Sequence, residues 1–175
     1  SLASLSVSGQ EFSDGVRAGG MGEAFTAVAT GTSAIYHNPA GAARAAMYSL
    51  DAGYEYTPDG NVLSASILDS KTNPNIAAGV GYGYYFGRGE NQVRGHDFRL
   101  ALALPVMPDR ISVGLGGRWL IIKDTQTILD DAGEEIEADV ELMNGPTVDA
   151  GILFRATKSL HFGVADYAAS TRART

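Results

Sequence analysis

The sequence predicts an all-β chain, an antiparallel transmembrane β-barrel wall of about seven strands lying between residues 48 and 175. Three observations carry this. Large apolar residues alternate with Gly, Ala, Ser and an occasional Asp or Arg; aromatic residues gather at the ends of the alternating segments; and long connections alternate with short ones. Alternation alone also fits a soluble β-sandwich. The solvent face of a soluble sheet, however, is usually Lys, Glu, Thr and Gln, whereas small residues with a few charges suit a crowded polar lumen.

The first segment, residues 48–56, places Tyr48, Leu50, Ala52, Tyr54 and Tyr56 on one face and Ser49, Asp51, Gly53 and Glu55 on the other. Thr57-Pro58-Asp59-Gly60 is turn chemistry. Residues 61–69 set Leu63, Ala65 and Ile67 against Ser64, Ser66 and Leu68, and a connector at 70–75 follows. In residues 76–86 Ile76, Ala78, Val80, Tyr82, Tyr84 and Phe86 oppose Gly79, Gly81, Gly83 and Tyr85, so one face is large and the other nearly bare. After a polar loop at 87–95, residues 96–106 oppose Phe98, Leu100, Leu102, Leu104 and Val106 to Asp97, Arg99, Ala101 and Ala103.

A tight turn is expected at Met107-Pro108-Asp109-Arg110. Residues 111–122 then place Ile111, Val113, Leu115, Trp119 and Ile121 opposite Ser112, Gly114, Gly116 and Arg118. The acidic stretch 124–146 reads as the longest loop; its Asp and Gly spacing does not match an EF-hand, which leaves a solvated charged loop. Residues 147–156 resume with Val148, Ala150, Ile152 and Phe154 opposite Asp149, Gly151 and Arg155. A short turn at 156–159 leads to a last strand that begins with Leu160, Phe162 and Val164. The connections at 57–60, 87–95 and 124–146 belong to one end of the strands, the last two of them long, and those at 70–75, 107–110 and 156–159, all short, to the other, as extracellular loops and periplasmic turns would.

Composition narrows the function classes. Twenty acidic against 13 basic residues, a net charge of -7 and the absence of a basic run exclude an electrostatic nucleic-acid binder. With no Cys there are no disulfides, thiolate metal sites or Cys nucleophiles. His37, His96 and His161 are scattered and match no metal-ligand or nucleophile-elbow pattern, so neither a metal, a cofactor nor catalysis is expected. No apolar run is long enough for a transmembrane helix, a test that barrel strands escape because only every second residue meets lipid.

Ahead of the strands, residues 1–17 are polar and Ser/Gly-rich, and residues 18–43 are rich in small residues, with glycines at 19, 20 and 22. Met21, Phe25 and Val28 recur at helical spacing, which predicts a short helix before a turn at Gly31-Thr32-Ser33. A dinucleotide fingerprint fails here: no strand precedes the glycines, and Phe25 stands where the third Gly is required. The run closes on Asn38-Pro39-Ala40, where Pro39 fixes φ and Asn38 can bond its own backbone.

This Gly-Met-Gly run leading to Asn-Pro-Ala resembles the N-terminal region of the FadL family of outer-membrane proteins, and the segments 107–116 and 159–164 resemble its strand repeats. The family consists of barrels of about 14 strands, within the range of bacterial walls, that carry hydrophobic compounds such as long-chain fatty acids past an N-terminal hatch. The resemblance implies a lead-in and hatch at 1–47 and an incomplete barrel at 48–175, since a closed single-chain barrel needs an even number of strands, at least about eight. It implies Gly19, Gly20, Gly22, Asn38, Pro39 and Ala40 as the hatch motif; Met21, Phe25 and Ile35 are the candidate contacts to an apolar ligand, with packing of the plug as their alternative role. A strand loosened by Gly79, Gly81 and Gly83 would be the lateral opening, although glycines facing a filled lumen serve packing equally well.

Asp51, Glu55, Asp97, Arg99, Arg118, Asp149 and Arg155 share the inferred lumen face, as structural charge pairs or the lining of a polar passage. The partners implied are outer-membrane lipid, including lipopolysaccharide, a hydrophobic small molecule, and other envelope proteins. Two rival functions stand beside transport: a barrel acting as scaffold or docking partner in an envelope assembly, and a soluble β-sandwich binding module.

Overall fold

The computed structural model describes residues 25–88, 93–129, 135–157 and 159–168. Seven strands form one antiparallel sheet in chain order: β1 (Tyr48–Tyr56), β2 (Gly60–Asp69), β3 (Ala77–Gly87), β4 (Val93–Met107), β5 (Ile111–Leu129), β6 (Glu135–Arg155) and β7 (His161–Ala168). Each strand pairs with its sequence neighbours, and β1 and β7 are the two edges. The all-β, antiparallel expectation agrees with this architecture, whose first strand begins at Tyr48.

The pleat sorts the side chains as their alternation predicts. On one face, successive rungs cross the sheet in register. Leu50, Ile67, Val80, Leu100, Gly117 and Val148 make one rung, and Ala52, Ala65, Tyr82, Phe98, Trp119 and Pro146 the next. Nearly all the large apolar members of this face are exposed, Leu50 at 80% and Val164 at 70%. Asp69, at the end of β2, and Asp166, on β7, interrupt it. The opposite face is built from Ala77, Gly79, Gly81, Ala101, Ala103, Ser112, Gly114, Gly151 and Leu153, all buried.

What buries that second face is the N-terminal segment. The backbone N–H groups of Val28 and Ala29 both donate to the Phe25 carbonyl at 2.9 Å, closing a turn. A 3₁₀ turn (Gly31–Ser33), the one-turn helix α1 (Ala34–His37) and a second 3₁₀ stretch (Pro39–Arg44) follow. Ala34, Ile35 and Ala42 pack with Leu68, Ala77, Ala101 and Ala103 into a single apolar cluster. Over the described part of the expected short helix, residues 25–28 form a turn instead; the expected turn at Gly31–Ser33 is the 3₁₀ turn, and the α-helical turn comes after it. Of the apolar residues at that spacing, Phe25 packs with Val28 and Ala29 inside the segment itself, and Met21 lies outside the described residues.

The loop lengths are corrected as well. The stretch 124–146 is mostly strand: β5 runs for 19 residues and β6 for 21, and Thr125–Leu129 pair with Glu135–Asp139 beyond the last β4 partner, Val93. Strand β4 likewise absorbs residues 93–95. Both faces of the projecting ribbon are polar at Lys123, Asp124, Thr125 and Gln126, so no apolar alternation marks it. A register shift between Ile122 and Lys123, which leaves Leu142 unpaired, also reverses the phase on β6. The asymmetry between the two ends of the sheet therefore lies in strand length and not in loop length. No helix among the described residues is long and apolar enough to cross a membrane, which bears on helices alone.

Candidate functional site

The site is the contact between the N-terminal segment and the inner face of the wall, at the end where the turns after β2, β4 and β6 lie. Its keystone is Asn38, completely buried. Its Oδ1 accepts the Ala40 N–H at 3.1 Å, capping the 3₁₀ stretch that Pro39 opens, and its Nδ2 donates to the Thr26 carbonyl at 3.1 Å. One carboxamide thus ties the start of the segment to its end. The extended backbone of Asn38 suits the residue before a proline.

Glycine on the strands lets this motif sit directly against the wall. A Cβ at Gly114 would overlap the backbone of Pro39 and Ala40, reaching within 2.7 Å of the Ala40 Cα, and a Cβ at Gly151 would overlap the Asn38 carboxamide. On β3 the same holds one level away. A Cβ at Gly79 would come within 2.9 Å of Ile35 Cδ1, and one at Gly81 within 2.7 Å of the Tyr36 hydroxyl. Gly83 lies beside Asp97 at 3.7 Å, an ordinary contact. Strand β3 keeps unbroken register with both neighbours. Of its three glycines, Gly79 and Gly81 form the floor under Ile35 and Tyr36, and Gly83 does not.

Phe25 and Ile35, the expected ligand contacts, are 1% and 4% exposed. The Phe25 ring meets His37 edge-on with centroids 5.1 Å apart, and Ile35 fills the space over Gly79. Both are placed in packing. Met21 and the glycines at 19, 20 and 22 lie outside the described residues.

Beside the motif is a buried charge cluster. Asp97 receives Arg99 through Nε and Nη2, both at 3.0 Å, and Arg118 through Nε at 2.9 Å. Arg99 Nη1 donates to the Tyr36 carbonyl at 3.1 Å, and its guanidinium lies 4.9 Å from the Tyr36 ring centroid. Asp149 is buried on the neighbouring strand. Asp97 with Arg99 and Arg118 joins β4 to β5, and Arg99 carries the link on to the segment, in a low-dielectric setting that strengthens each bond. Burial pushes the Tyr36 phenol above its usual range, with Ser66 and Arg99 acting in the opposite direction. Burial and the nearby Arg155 lower the Arg44 guanidinium from its usual value.

Of the lumen-face charges expected from the alternation, the structure brings Asp97, Arg99, Arg118 and Asp149 together. Asp51 and Glu55 stay exposed on β1, outside this cluster. Arg155 donates to His161 Nε2 at 3.3 Å near the turn before β7. Tyr36 escapes the alternation argument because it lies ahead of the strands, where period two says nothing. No group of His, Asp and Glu among the described residues could hold a metal ion. Comparison with protein-family models, with curated proteins and with solved structures returned no match.

Proposed function

We propose that this chain is part of an outer-membrane β-barrel of FadL type, whose N-terminal hatch governs the passage of small hydrophobic molecules such as long-chain fatty acids. The observation that carries the reading is the division of one sheet into two unlike faces. Its outward face is a field of exposed Leu, Ile, Val and aromatic side chains, which a soluble protein would cover. Its inward face is small, polar and charged, as a lumen is. A soluble sandwich buries its large apolar faces against each other; here the buried face is the one of small residues and charges, and the large apolar face is exposed.

The aromatic positions support the same reading. Tyr82, Phe98 and Trp119 share a rung, and Tyr54, Tyr84 and His96 share the next, between the aliphatic field and the charged residues beyond. The hatch reading rests on Asn38, Pro39 and Ala40, seated on wall glycines in a form suited to occluding a lumen. Phe25 and Ile35 would meet cargo only once the hatch has left its seat. Membership of a barrel requires partners for the edges of β1 and β7, supplied by further strands.

The test is uptake of a radiolabelled long-chain fatty acid by cells making the full-length protein, compared with cells making none. Uptake above the control level is expected, and equal uptake in the two would overturn the transport reading. Stoichiometric co-purification with other envelope proteins, together with absent uptake, would favour the scaffold instead.

A further inference from the structure

The outward face carries a second feature, at the end of the strands away from the hatch. Tyr84, Arg94, His96, Ile121, Lys123, Thr125, Asp139, Glu141 and Asn144 line a pocket of about 410 Å³. Arg94 and Lys123 are direct cross-strand partners, and like charges placed opposite one another on one face are destabilising unless an anion lies between them. Neither makes an ion pair among the described residues.

Lys123 is also in register with Glu141 on the next strand, yet that carboxylate is drawn elsewhere. Glu141 Oε2 accepts Asn144 Nδ2 at 3.1 Å, and Asn144 Oδ1 in turn accepts Trp119 Nε1 at 2.9 Å. Asp139 accepts the Thr125 hydroxyl at 2.8 Å. Cations on β4 and β5 thus line one side of the pocket and carboxylates on β6 the other, unpaired with each other though Lys123 and Glu141 are cross-strand neighbours about 4.8 Å apart in backbone spacing. His96 and Tyr84, with ring centroids 4.9 Å apart, supply an aromatic floor that leads into the apolar field.

We propose that this pocket binds the zwitterionic headgroup of a membrane lipid, a phosphoethanolamine, with its phosphate between Arg94 and Lys123 and its ammonium toward Glu141 and Asp139. The inference rests on the barrel reading, because the acyl chains would lie along the outward face below. The balanced pair of cations and pair of carboxylates selects a headgroup carrying both signs over a purely anionic one. Hydrogen-bond acceptors on the carboxylates favour a primary ammonium over a quaternary one.

Native mass spectrometry of the full-length, delipidated protein in detergent tests this. The protein is offered equimolar phosphatidylethanolamine, phosphatidylcholine and phosphatidylglycerol with identical acyl chains. Preferential retention of phosphatidylethanolamine is expected, falling about tenfold or more in Arg94→Gln/Lys123→Gln, as loss of charge-assisted bonds implies. The control Arg88→Gln, whose guanidinium lies over the Tyr56 ring, should keep the preference. Equal retention of all three lipids, or an unchanged preference in the double variant, would overturn the assignment. So would an adduct with soluble O-phosphoethanolamine as abundant as that with the lipid, which would make the ligand a free small molecule. A protein that needs no detergent and retains no lipid would instead remove the barrel reading beneath it.

Discussion

Asn38 satisfies two backbone groups from a position without solvent access, so its loss cannot be repaired by water. Asn38→Ala would orphan the Ala40 N–H and the Thr26 carbonyl, at a cost of about 1–3 kcal/mol for each group. Residues 25–44 are then expected to become sensitive to protease while the strands stay resistant. Equal resistance of the segment in variant and parent would show that the carboxamide does not hold it.

Arg99 presents a different balance, because it clamps the segment and also neutralises Asp97. Arg99→Met should destabilise by about 3–5 kcal/mol, the cost of leaving a buried charge short of its partner. Asp97→Asn combined with Arg99→Met should recover part of that loss, as thermal unfolding in detergent would record. If the double variant were less stable than Arg99→Met alone, the cluster would be stabilised by something other than pairing.

At the scale of elements, the segment and the strand glycines form one interlocking surface. Gly114→Val or Gly151→Val would place a branched side chain where Pro39, Ala40 or Asn38 now lies. Overpacking of about 1–3 kcal/mol should unseat Pro39–Arg44 and leave β5 and β6 paired. Hydrogen exchange should then quicken across residues 34–44 but not across 111–122; exchange quickened equally in both would point to a damaged sheet.

Helix α1 brings a pH dependence of its own. Burial raises the Tyr36 phenol above the ordinary tyrosine value of 10.0 when the segment is docked, so the docked state favours the neutral phenol. Its contribution is fully present below about pH 10 and is lost as pH rises through the docked-state value. Absorbance titration should find the phenol lost in Tyr36→Phe to be one that ionises late, and protease resistance of the segment should fall above pH 10 in the parent more than in Tyr36→Phe.

Much of the sheet was legible because period two survives wherever one face is apolar: Phe98 to Val106 and Val148 to Phe154 could be assigned residue by residue. It failed at 124–146, where both faces are polar and the bulge at Leu142 shifts the phase. Asn38-Pro39-Ala40 was visible as a motif, but its seat was not. Gly114 and Gly151 appear in the sequence only as small residues on one face, and nothing local indicates which distant backbone they admit.

For the whole molecule, the account turns on which medium meets each face of the sheet. The cysteine-free chain allows single spin labels to be placed along β4 at Leu100, Ala101, Leu102, Ala103 and Leu104 in the full-length protein reconstituted in lipid vesicles. The most direct measurement is the accessibility of those labels to oxygen, which concentrates in the bilayer, against a water-soluble nickel chelate. A lipid-facing wall predicts high oxygen and low nickel accessibility at 100, 102 and 104, alternating with low oxygen accessibility at 101 and 103. Labels at 100, 102 and 104 that the nickel chelate reaches freely would contradict it.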